Sequence, residues 1–140
     1  MVKSTLGLFI GLLLVSCDPG AFAVITNQSE EIAEVEMIFD KDSIKDDIDQ
    51  YGSLRKYIDS NLNYHSNKGT ITKLDSINLI AVIQIKPKDS LLLDGRLEPY
   101  PDYYNIKKLI INSKIEYKGQ KEIRGAFKES GSVLYELKIK

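Results

Sequence analysis

Ala33-Glu34-Val35-Glu36-Met37-Ile38-Phe39 is the stretch on which the fold turns. Its apolar residues Ala33, Val35, Met37 and Phe39 fall at every second position, with Glu34 and Glu36 between them. Successive side chains of a strand point to opposite faces, so this period predicts one buried face and one wet face. Glutamates are good helix formers, and a short helix over residues 32–39 is the competing reading. The clean alternation favours the strand.

The same pattern extends in both directions. Upstream, Phe22 and Val24 alternate with smaller or polar neighbours until Asn27-Gln28-Ser29, which reads as a turn. Downstream, residues 77–85 place Ile77, Leu79, Ala81, Ile83 and Ile85 on one side and Ile80 and Val82 on the other. A run apolar on both faces suits a central strand. Pro87 lies just past it, residues 86–89 form a turn into a strand over 90–93, and Asp94-Gly95 closes that strand. Residues 108–112 read as another strand. Residues 115–117 and 122–123 read as a hairpin across Lys118-Gly119-Gln120. Gly119, Gly125 and Gly131 read as turns between strands, not as a phosphate loop. Val133, Tyr135, Leu137 and Ile139 give the last strand its inward face.

One segment breaks the period. Ile44, Ile48, Tyr51, Arg55, Ile58 and Leu62 are spaced by three or four, which predicts a helix over 43–62. Asp42 or Ser43 can cap it, and Asp46 and Asp47 suit its first turn. Gly52 costs about 1 kcal/mol relative to alanine and marks a place for an interruption. The expected fold is therefore mainly β: a small antiparallel β-sandwich, immunoglobulin- or fibronectin-like, with one inserted helix near 43–62. An α+β fold, with the helix packed on an antiparallel sheet, is the alternative.

Composition fits one globular domain over residues 21–140. The chain has 140 residues, 43% hydrophobic and 28% charged, enough for a real core. Its nineteen basic side chains, one of them Lys3, stand against twenty acidic ones. No basic stripe results, so nucleic acid is not an expected partner.

The N-terminus carries an address. Lys3, the apolar residues 6–15 and the small residue Ser16 have the three-part form of a secretory signal. The apolar run is about half the ~20 residues that a membrane-spanning helix needs. Leu14-Val15-Ser16-Cys17 resembles the lipobox of bacterial lipoproteins, position by position. That resemblance implies cleavage of residues 1–16 and lipid on Cys17, the only cysteine, with residues 17–20 as a short tether. Two or three acyl chains hold a protein stably at a membrane, whereas one does so marginally. Asp18 resembles an inner-membrane retention signal, and Pro19-Gly20-Ala21 supplies no acids of the kind that direct surface export in some lineages. The expected place is a periplasm-facing tether on the inner or outer membrane.

Chemistry is faint in the mature sequence. Asp40, Asp42, Asp46, Asp47 and Asp49 form the densest acidic cluster, but an EF-hand loop fails at Ile44 and Lys45, and helix capping explains the acids better. His65 is the lone histidine, with neither a zinc set nor a triad context around it. Asp94, Glu98 and Asp102 would have to pair in space to act as a glycosidase. Pro99-Tyr100-Pro101-Asp102-Tyr103-Tyr104 is the most distinctive segment. Rigid tyrosines recur in binding surfaces, so Tyr100, Asp102, Tyr103 and Tyr104 are the candidate contact residues. The competing account has these rings closing the sandwich edge. The functional expectation is a non-catalytic binding or assembly module contacting an envelope protein or glycan, without cofactor or metal. An inhibitor or immunity lipoprotein that neutralises a toxin or hydrolase is the alternative, and a hydrolase is third.

Overall fold

The structure, a computed structural model, describes residues 20–62, 69–96 and 100–140, leaving aside the side chains of 94–96. The leader with Cys17 and Asp18, the lone His65, Glu98 and the Asp94 carboxyl lie outside the described residues. The elements run β1 (Ala21–Asn27), β2 (Ala33–Phe39), α1 (Lys41–Tyr51), α2 (Leu54–Asn61), β3 (Gly69–Asp75) and β4 (Ile80–Ile85). They continue as β5 (Ser90–Arg96), β6 (Ile106–Ile111), β7 (Ile115–Lys118), α3 (Gly119–Ala126), β8 (Lys128–Glu129) and β9 (Leu134–Ile139).

The strands form two sheets, ordered β5-β1-β9-β8 and β3-β4-β2-β6-β7. Every pairing is antiparallel except β1 with β9, which run parallel. The mainly β sandwich expected from the period-two pattern is what forms. Ala23, Ile25, Leu91, Leu93, Leu137 and Ile139 from the first sheet share one buried cluster with Val35, Met37, Ala81, Ile83, Ile85, Leu109 and Ile111 from the second. Burying each large aliphatic side chain contributes about 1.5–3 kcal/mol. β2 follows its sequence pattern fully: Ala33, Val35, Met37 and Phe39 are buried, and Glu34 and Glu36 face outward.

Several expectations need correction. In β1 the buried set is Ala21, Ala23, Ile25 and Asn27, while Phe22 is 40% exposed. Pairing with β5 and β9 fixes which face turns inward, and it overrides residue bulk. The central strand over 77–85 begins only at Ile80; Ile77 sits in the preceding turn and is 93% exposed. Residues 69–75, where no strand was expected, form the edge strand β3.

The helix expected over 43–62 is two helices. Asp40 caps the first, its Oδ1 accepting from the Asp42 and Ser43 backbone N–H groups at 3.1 and 3.0 Å. Gly52 ends it at φ 84, a left-handed conformation open to glycine, and donates to the Ile48 carbonyl at 2.7 Å. Ser53 then caps α2. The break resets the helical phase, so Leu54, Tyr57 and Ile58 enter the core and Arg55 faces water beside Asp59.

The hairpin expected across Lys118-Gly119-Gln120 is also replaced. β7 pairs with β6, and residues 119–126 form α3, so Gly119 and Gly125 lie in a helix instead of strand turns. Ile123 and Phe127, four apart, both bury into the core. Gln120, Lys121, Glu122 and Arg124 are good helix formers, and the Glu122 carboxylate accepts from the Lys118 N–H at 2.7 Å.

Candidate functional site

The tyrosine segment packs where α1, α2 and the start of β6 meet. Tyr100 is 63% exposed, its ring centroid 6.2 Å from that of Tyr135. Tyr103 is buried, tilted against Phe127 with centroids 5.0 Å apart. Asp102 shapes the turn by accepting from the Tyr104 N–H at 3.0 Å. Tyr104 is half-buried; its hydroxyl donates to Asp47 Oδ2 at 3.1 Å, and its carbonyl accepts from the Ser43 hydroxyl at 3.0 Å. Of the four residues singled out from sequence, Tyr100 alone is exposed. Tyr103 and Tyr104 close the core edge.

Asn105 follows this segment and is 3% exposed. Its Nδ2 donates to Asp47 Oδ2 at 2.7 Å and to the Tyr57 hydroxyl at 2.9 Å. Its backbone carbonyl accepts from the Asp40 N–H at 2.9 Å, which locks the segment to the start of α1. Its Oδ1 is buried without a hydrogen-bond partner.

These groups surround a cavity of about 90 Å³. Its polar wall is Asp47, Tyr57, Asn61, Asp102 and Asn105. Its apolar wall comes from Phe39 and Ile106, paired neighbours on β2 and β6, with Leu62, Leu93 and the Tyr103 ring. The arrangement offers carboxylate and amide oxygens beside aromatic surface, and among the described residues no lysine or arginine lines it.

The acidic cluster does not converge. Asp42, Asp46 and Asp49 are exposed on α1, Asp40 caps it, and Asp47 turns toward Asn105. The Ser43 backbone N–H and hydroxyl, with further help from the Asp42 N–H and Lys107, hold the Asp40 carboxyl below its ordinary pKa. Among the described residues no group of three histidine, cysteine or acidic side chains is placed to hold a metal.

Sequence reasoning missed Asn105, Tyr57 and Asn61. An asparagine just ahead of a strand reads as a turn residue, and Tyr57 falls off the helical stripe that ignores the break at Gly52. Asp47 was visible, but as a dipole-matched helix acid. Comparison of the chain with protein-family models, curated proteins and solved structures finds no match to any of them.

Proposed function

We propose that this protein is a lipid-tethered, periplasm-facing module of the cell envelope that works by binding and not by catalysis. The lipobox-like Leu14-Val15-Ser16-Cys17 supports the tether, because the sandwich begins at Ala21, only a few residues beyond Cys17. An extended residue spans at most about 3.6 Å, so the leash holds the domain within roughly 15 Å of the membrane surface. The cavity beside Asn105 supports the binding role and is the observation that carries it. Leu93 in its wall is the middle residue of β5, at the bulge opposite Ala23 and Val24 of β1. Tyr100 is the exposed aromatic residue of the same segment.

Mass spectrometry of the protein from its native host tests the tether. A mature N-terminus at Cys17 carrying diacylglyceryl is expected, and Cys17→Ser should move the protein from the membrane to the soluble fraction. A bare thiol or an intact leader overturns the assignment. In-cell crosslinking tests the surface: Tyr100→Ala, which removes no buried ring, should reduce capture of the partner.

A further inference from the structure

We propose that the cavity walled by Asp47, Tyr57, Asp102 and Asn105 binds a primary ammonium group, from a soluble amine or from a lipid headgroup. This rests on the reading of the domain as a binding module and gives that module a ligand chemistry.

The orphaned oxygen sets the first requirement. A buried amide carbonyl without a donor is destabilising, and such groups call for a partner. Rotating the Asn105 amide does not help. Both Nδ2 hydrogens are used, on Asp47 Oδ2 and on the Tyr57 hydroxyl. The flipped amide would set its oxygen against the Asp47 carboxylate. Asn105 is part of the cavity wall, and a ligand there that donates a hydrogen bond answers this need.

Asp47 sets the second requirement. It accepts hydrogen bonds at Oδ2 from neutral groups only, and among the described residues no cation pairs with it. Asp102 adds a second carboxyl to the same wall. A donor that is also positive satisfies Asn105 Oδ1 and Asp47 together, through charge-assisted bonds. Tyr57 and Tyr103 belong to the same wall.

Size and donor type narrow the choice. At about 90 Å³ the cavity exceeds the ~30 Å³ share of one water, yet it admits only a small head. An ammonium group brings three N–H donors in that space. A hard metal ion would want six or more oxygen ligands, and the described residues offer no such set. Anions are disfavoured by the Asp47 carboxyl.

The test uses full-length processed protein purified from membranes. Ethylammonium, tetramethylammonium and ethanol are titrated while the Asn105 side-chain amide is followed by NMR. For a ligand with three non-hydrogen atoms the affinity ceiling is about millimolar, so titrations run to about 100 mM. Ethylammonium should shift the Asn105 amide saturably. Tetramethylammonium, equal in charge but without N–H donors, should bind roughly tenfold more weakly or not at all. Asp47→Asn keeps an oxygen for Tyr104 and Asn105 and should weaken ethylammonium roughly tenfold. If that variant does not fold, Asp102→Asn, which retains the acceptor for the Tyr104 N–H, takes its place. Vesicles bearing phosphatidylethanolamine, compared with phosphatidylcholine, assign the source: preference for the former places the ammonium on a lipid, and none places it on a soluble amine. The proposal is overturned if ethylammonium fails to saturate, which leaves a cavity that holds only water, or if ethanol or tetramethylammonium matches it. Binding of ethylammonium by the carboxyl variant as tight as by the unaltered protein also overturns it. The mass of the Cys17 peptide is read on the same sample, so loss of the tether and loss of the pocket are told apart.

Discussion

Ser113 sits at φ 54 beside Asn112 at φ 51, and the Lys114 N–H bonds the Ile111 carbonyl at 3.0 Å. Two consecutive left-handed residues make a type I′ turn, the connection that matches the twist of a hairpin. Asn112 suits its place, because its Oδ1 also accepts from the Glu34 N–H at 2.7 Å. Ser113 has no such compensation. Replacing Ser113 with glycine should stabilise the domain by about 0.5–1 kcal/mol, the steric relief being partly offset by a freer unfolded chain. A urea midpoint that falls in the glycine variant would contradict this. The turn was hard to read in sequence because Asn112 extends an apolar run and looks like the last residue of its strand. Two buried asparagines show the same limit. Asn27 spends both Nδ2 hydrogens on the Glu31 and Ile85 carbonyls, and its Oδ1 accepts from the Ser29 N–H and hydroxyl. Asn105 fills only its donors. Both asparagines read alike as turn formers, and their difference emerges only from the partners that the fold brings to each.

At the scale of elements, legibility tracked how local the deciding interaction is. β2 could be read because its burial follows its own period. The Gly52 break was readable as a weak point, but the reset of phase that brings in Tyr57 was not. α3 was misread because four residues of a helix pattern between two short apolar runs also fit a hairpin, and Phe127 completes the buried face only after the pattern ends. β3 escaped notice because an edge strand buries little. Its inward positions are Gly69, Ile71 and Leu74, opposite Ile85, Ile83 and Ala81. Gly69 explains how this edge closes on the sandwich. A Cβ placed there would lie 2.6 Å from Ile83 Cγ2 and 3.2 Å from Leu91 Cδ1, side chains of both sheets. Ile83 is itself buried and cannot retreat freely. Gly69→Ala should therefore destabilise by about 1–3 kcal/mol, an overpacking cost read as a lower denaturant midpoint at unchanged slope. An unchanged midpoint would mean that β3 stands further from the core than the structure places it.

Across the whole molecule, the first and last strands lie side by side, and that parallel pairing joins residues more than a hundred positions apart, beyond the reach of any local pattern. It also gathers charge. On the outer face, burial raises the Glu136 pKa, but the Thr26 hydroxyl at 2.7 Å and Lys138 at 3.3 Å outweigh it, so the net pKa is lowered. On the other sheet, Lys118 and then Lys108 lower Glu116, and Glu116 in turn raises Lys118. The Asn78 backbone N–H and side chain, with the Ile77 N–H, lower Asp75 as Ser43 lowers Asp40. Burial first, then Glu129 and Tyr100, raises Tyr135. The sign on each flank of pH follows. The folded state of Asp40 and Asp75 titrates below 3.8 and that of Glu116 and Glu136 below 4.5, so the unfolded chain binds more protons in acid. Their stabilisation is present above those ordinary values and is lost as pH falls through the lowered ones. Lys118 titrates above 10.5 and Tyr135 above 10.0, so their contribution holds below those values and is lost as pH rises through the raised ones. Stability should thus form a plateau from about pH 5 to about pH 10 and decline on both sides. Urea midpoints across that range check it, and Glu116→Gln should shallow both flanks by removing one partner from each. High salt should weaken the Glu116–Lys118 share, which is exposed, and spare the helix cap at Asp40 and the turn at Asp75, whose backbone donors are not screened. A midpoint that climbs as the solution is acidified below pH 4 would reverse the sign and remove these carboxylates as the cause.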